Sequence, residues 1–256
     1  MTAAERPRDR RGEQRLVWLR RTAVGSFPVV VVIMAIVLWF DRPTYLRLLR
    51  EDGVAEWLTF AFLLAAAAGA ANIALRQHRG LAGRDWFFLG FAAVCLLGAL
   101  EEISWGQRIF GFASPEFFLE HSSQSEINAH NVAQKWTGLK TKHVTGVVFF
   151  LYGAVLPLAL RFKRIELLMH RLAIAIPQKR LVAGFAIAAL MMFDKPTRAE
   201  EEIGEMLFSL ALLFFVALTS AERPLQAAQA ATARRTVPRT SRAQRAAYPR
   251  PRPAAK

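Results

Sequence analysis

PVVVVIMAIVLWF, residues 28–40, decides the fold class. It holds no charged side chain and lies within a longer apolar block, Val24 to Phe40. A hydrocarbon core about 30 Å thick calls for roughly 17–25 consecutive apolar residues in a helix. The block follows Arg20 and Arg21 and runs into Trp39-Phe40-Asp41-Arg42-Pro43. No small-residue cleavage site follows it, so it reads as an uncleaved anchor with its N-terminus inside, not as a removed signal peptide.

Working outward, the same pattern recurs. Apolar blocks alternate with short charged stretches, and six candidate spans result: about 24–40, 54–75, 86–103, 143–160, 179–196 and 203–220. The fifth is the shortest, apolar only from Leu181 to Phe193, and reaches spanning length if Lys179 and Arg180 snorkel at its inner end. Ile165 to Ile176 is interrupted by Glu166, His170 and Arg171 and reads as an interfacial helix. The expected fold is an all-α polytopic transmembrane bundle over residues 24–220. A basic N-terminus, 1–23, precedes it. A basic tail, 221–256, rich in Ala, Arg and Pro, has little to bury and is expected to be disordered.

The net charge of +14 invites a nucleic-acid reading, but the charge is sorted by position. One side of the expected membrane carries 25 Lys/Arg against 6 Asp/Glu, and the other carries 9 against 14. That is the positive-inside pattern. It excludes nucleic acid as the expected partner and points to membrane lipids, with both termini cytoplasmic and the protein in the inner (plasma) membrane. The single cysteine, Cys95, sits in an apolar block and allows no intramolecular disulfide.

The acidic side collects the candidate chemistry. EEISWGQRIFGF, 101–112, ends the third span. If the helix continues, Glu101 shares a face with Ser104 and Trp105, Glu102 faces Trp105, and Ser104 faces Arg108. Ionisable groups at membrane depth are functional candidates by default. Asp52 and Glu56 open the second span, His143 opens the fourth, and Glu202, Glu205 and Ser209 share a face at the start of the sixth. EINAHN, 126–131, adds Glu126, His130 and Asn131. Expected catalytic groups are Glu101, Glu102, His130 and Glu205, and expected substrate contacts are Glu56, Trp105, Gln107, Arg108 and Asn131. Carboxylates and histidines from several helices would suit a divalent metal or acid/base chemistry. No known ligand spacing signals a metal, and no cofactor fingerprint is present. Trp57, Trp105 and Trp136 also suit an interfacial aromatic belt.

EDGVAEWLTF (51–60), EEISWGQRIFGF (101–112) and EINAHN (126–131) resemble an uncharacterised family of bacterial multi-pass membrane proteins with an EEISWGQR-type motif. The match covers about the first two-thirds of the chain. The resemblance implies membrane location and marks the motifs, but names no reaction. Ceramidase-like membrane hydrolases also place Ser, His and acidic residues at span ends, but no histidine follows His170 to supply their late His-x-x-x-His pair. The leading expectation is an enzyme acting on a lipid or lipid-linked substrate at the outer leaflet. A non-enzymatic membrane scaffold and an ion-coupled transporter are the alternatives. Convergence of Glu56, Glu102, His130, His143 and Glu205 on one cavity would favour a site; fanning into water would favour plain solvation.

Overall fold

In hydrocarbon, backbone N–H and C=O groups must be satisfied within the segment, so apolar blocks of this length fold as helices. The computed structural model of the chain describes residues 10–50, 52–76, 83–122, 127–138, 140–193 and 196–236. Among them there is no strand. The chain divides into two units, Met1–Ser220 and Ala221–Lys256, and the site described below lies in the first.

The first unit opens with α1 (Arg10–Phe40) and a short α2 (Arg42–Leu48). Asp41 caps α2, its carboxylate accepting the Thr44 N–H at 3.0 Å. Side-chain and backbone hydrogen bonds from Thr44 hold the Asp41 carboxyl below its ordinary range. Next come α3 (Val54–Leu75) and α4 (Gly83–Glu102), packed along their lengths. The connection to the next long helix contains a 3₁₀ turn (Ser104–Gly106), α5 (Gln107–Phe110), α6 (Glu116–His121) and α7 (Ala129–Thr137). α8 (Thr141–Phe150) passes through a π-helical turn (Leu151–Val155) into α9 (Leu156–Ala159). Then follow α10 (Lys163–Arg171), a 3₁₀ turn (Lys179–Leu181), α11 (Val182–Met191) and α12 (Glu200–Thr236).

Among the described residues, four helical stretches are long and apolar enough to cross a membrane: Gly12–Phe40, Val54–Leu75, Lys142–Ala159 and Glu200–Arg223. They match four of the six expected spans. α4 has 20 residues, but Asp85, Glu101 and Glu102 place three acids on it. α11 has 10 residues where a span over 179–196 was expected. At about 1.5 Å per residue it covers only half of a 30 Å core as a helix. Pro177 and the charged Lys179-Arg180 pair delay its start, and Pro196 follows its end. The tail also differs from expectation. Helix continues past Ser220 to Thr236, through an Ala-rich stretch of high helix propensity, and residues 237–256 lie outside the described part.

α12 is the hub of the first unit. Ile203, Leu207, Ala211, Phe215 and Leu218 on it are buried. Phe215 stacks on Phe88 of α4 and meets Phe91 and Tyr152 edge-on. Gly69 of α3 gives Val216 close approach, and Phe27 of α1 meets Phe214. By contrast, Val29, Val32, Ile33 and Ile36 of α1 are exposed, which suits lipid rather than water as the surrounding medium.

The path into α12 is set by a ladder of contacts. Gln178 reaches Thr219 at 3.4 Å, Phe185 packs on Gly153, and Met192 packs on Gly146 and Gly204. Residues 178–192 therefore run alongside α12 and the α8–α9 helix, antiparallel to both. At Gly153 the Phe185 ring occupies the place a Cβ would need.

Candidate functional site

Four helix ends meet at one end of the bundle. The start of α3 brings Glu56, the end of α4 brings Glu102, the start of α8 brings Lys142, and the start of α12 brings Glu201, Glu202 and Glu205. Lys142 Nζ lies 3.0 Å from Glu202 Oε1, 3.3 Å from Glu201 Oε1 and 3.8 Å from Glu205 Oε1. Glu102 is within electrostatic range of Glu205, Glu202, Glu56 and Lys142. Glu205 in turn interacts with Glu56. Four carboxylates, Glu102, Glu201, Glu202 and Glu205, thus interact with one ammonium, and Glu56 joins through Glu102 and Glu205. Lys142, Glu201, Glu202 and Glu205 keep only about a fifth to a quarter of their side-chain surface exposed.

This cluster forms the mouth of a cavity of about 300 Å³. Glu101, Glu102, Lys142 and Glu205 line its charged end. One turn deeper come Thr59, Thr145 and Ser209, and deeper still Leu63, Val94, Phe149 and Leu212. The ordering follows from helix periodicity, since residues three or four apart stack on one face. Ser209 and Glu205 share the expected face of α12, and the Ser209 hydroxyl donates to the Met206 carbonyl at 2.8 Å. A neighbouring narrow pocket joins Asp52, Glu56 and Glu102. There the Asp52 N–H donates to Glu56 Oε2 at 2.6 Å.

The motif 101–112 does not continue as one helix. α4 stops at Glu102, and Ser104 (φ +46°), Trp105 (φ +57°) and Gly106 (φ +87°) adopt left-handed backbone. Left-handed conformation costs a non-glycine residue on the order of 1–3 kcal/mol and persists where the surroundings over-determine it. Buried Ser104 leads this turn, and it swings the Trp105 indole back so that Nε1–H donates to Glu101 Oε1 at 2.6 Å. The adjacent carboxylates therefore separate. Glu101 is engaged by Trp105, while Glu102 joins the cluster from the other helices.

Gln107 ties the connection together: its amide N–H donates to Ser114 Oγ at 2.8 Å and its carbonyl accepts the Ile127 N–H at 3.1 Å. Asn128 donates to the Glu101 carbonyl at 3.3 Å. The side chains of Arg108, His130 and Asn131 lie outside the described part, as does Glu126. Of Glu56, Glu102, His130, His143 and Glu205, the structure brings Glu56, Glu102 and Glu205 together. His143 does not: it is exposed and lines a different cavity. Lys142, one residue earlier, takes the central place and was not singled out from the sequence. Glu200 is buried in a cap, accepting from Tyr45 at 2.9 Å and the Thr197 hydroxyl at 2.7 Å. Among the described residues no three His, Cys, Asp or Glu are grouped to hold a metal ion.

Chemically, the arrangement offers carboxylates and an ammonium within proton-transfer reach of one another, above an apolar shaft. No family model, curated protein or solved structure matches the chain.

Proposed function

We propose that the protein is a multi-pass enzyme of the bacterial inner membrane that acts on the head of a lipid or lipid-linked substrate at the outer leaflet. The observation that carries this reading is the cavity's polarity: carboxylates and a lysine at the mouth, hydroxyls below, apolar walls beyond. Such a shape accommodates an amphiphile with its chain inward. Carboxylates outnumber the ammonium around the mouth, which favours a head rich in donors, such as an amine or a polyol, over a bare anion. Glu102 and Glu205 are the proposed general acid/base groups, with Lys142 holding their carboxylates in place. Glu101, fixed by Trp105, is a positioning residue.

The same reading assigns the topology. The acidic end faces outward under the positive-inside rule, and both termini are cytoplasmic. Six crossings result if α4 spans despite its terminal acids and if 178–192 forms the fifth. Its contacts, from Thr219 to Gly204, cover most of the length of α12's apolar stretch.

The test compares lipid extracts of cells with wild-type protein, with none, and with Glu102→Gln or Glu205→Gln expressed at wild-type level. Both variants are expected to reproduce the profile of cells lacking the protein, altered in one lipid with an amine or hydroxyl head. Variants indistinguishable from wild type would overturn the reading.

A further inference from the structure

A second cavity, about 510 Å³, lies between α8 and α11. Val147 and Phe150 wall it on one side, and Ala186, Ala189 and Leu190 on the other. Among the described residues, His143, at its rim, is its only titratable lining residue. Val147, Leu190 and Phe193 along it are more than half exposed, so its open side faces the surroundings of the apolar helices.

One residue, Met192, lines both this groove and the cavity beneath the carboxylates. It is 4% exposed and lies between two glycines. A Cβ at Gly146 of α8 would meet Met192 Cγ at 3.2 Å, and one at Gly204 of α12 would meet its sulfur at 2.7 Å. The two glycines form a slot filled by one thioether. Methionine has three rotatable bonds and no branch, so it can vacate such a slot by rotamer change alone. Ala188 and Phe185, one and two turns earlier on α11, are fully buried and hold the helix itself in place.

We propose that the groove holds the alkyl chain of a membrane amphiphile, and that Met192 is the flap through which the chain passes sideways into the first cavity. This rests on reading the first cavity as an amphiphile site. Two features favour the lateral route. The approach past Lys142 and the carboxylates would carry an apolar chain across a charged mouth. The groove, by contrast, is apolar throughout apart from its rim, runs along a helix that is itself long and apolar enough to span, and ends at the same side chain that closes the first cavity.

The experiment uses the full chain in phosphatidylcholine nanodiscs with a long-chain alkylamine carrying a terminal diazirine. Samples are photolysed at intervals and labelled residues mapped by peptide mass spectrometry. In wild type, label on Val147 or Leu190 is expected first and label on Leu63 or Leu212 later. Met192→Ala is expected to speed the later labelling about tenfold. Ala189→Phe, and independently Val147→Trp, fill the groove and are expected to slow it about tenfold without changing its final extent. Wild-type rates at Leu63 and Leu212 in both filled variants overturn the lateral route and leave the amphiphile site standing. No label there in wild type at any time overturns the site and the route together.

Discussion

α1 and α12 are both long and apolar, with mean hydropathies of 2.5 and 2.0 over their most apolar stretches. Yet 11% of the α1 stretch is buried inside the protein against 67% of the α12 stretch. Hydropathy reports which solvent a helix tolerates; burial reports which neighbours it needs. The two also differ at the acidic end of the bundle. α1 is followed by Asp41, which caps the short α2, while α12 opens with Glu201, Glu202 and Glu205 facing Lys142.

The sharpest way to break this contrast is to truncate one side chain on each helix. Phe215→Ala on α12 removes a ring packed on Phe88, Phe91 and Tyr152 and is expected to cost about 3–5 kcal/mol. Ile33→Ala on α1, half exposed, is expected to stay within about 0.5 kcal/mol. Detergent-denaturation curves of the two variants check this, and equal losses would erase the distinction. A smaller effect is expected at the charged end. Lys142→Ala leaves the Glu cluster without its cation and should cost about 2–3 kcal/mol, given partial exposure. Adding Glu202→Gln should recover part of that loss, and a strictly additive double variant would count against the cluster acting as a unit.

The smallest effect concerns Asp41. Its carboxyl titrates below the ordinary value in the folded chain, so its contribution is present above an unfolded value near 3.9 and disappears as pH falls through the folded one. Amide-exchange protection at Tyr45 to Leu48 should therefore drop on strong acidification. Asp41→Asn, which caps without titrating, should show no such drop. Equal pH dependence in the two proteins would remove Asp41 as the cause.

The sequence makes the helical class and four helices long and apolar enough to cross a membrane legible, because an apolar block in hydrocarbon must satisfy its backbone within itself. It also indicates that Glu56, Glu102 and Glu205 could share a level, since all three lie at block ends. It does not indicate Lys142. Flanked by Lys140 and His143, that residue reads as a loop charge, and only the packing of α8 on α12 brings it to carboxylates some 60 positions away. Nor was the break after Glu102 legible. EEISWGQR has ordinary helical spacing until Ser104 and no breaker before Gly106, yet Ser104 and Trp105 take left-handed backbone. Hydropathy suggests a fifth span over 179–196, but the α-helix there covers only Val182–Met191.

The π-helical turn at Leu151–Val155 sets the register between the two halves of the helix from Lys142 to Ala159. A π turn holds one residue more than the α turn it replaces, and each residue advances an α-helix by about 100°. Were the same residues to wind there as plain α-helix, composition and hydropathy would be unchanged. The half before the turn would then be rotated against the half after it. With Pro157 and Gly153 keyed into the bundle, the Lys142 half would have to turn, carrying the ammonium off the Glu cluster and His143 toward it. In that register the chain would still suit a membrane by every compositional measure, yet histidine would stand where lysine now does.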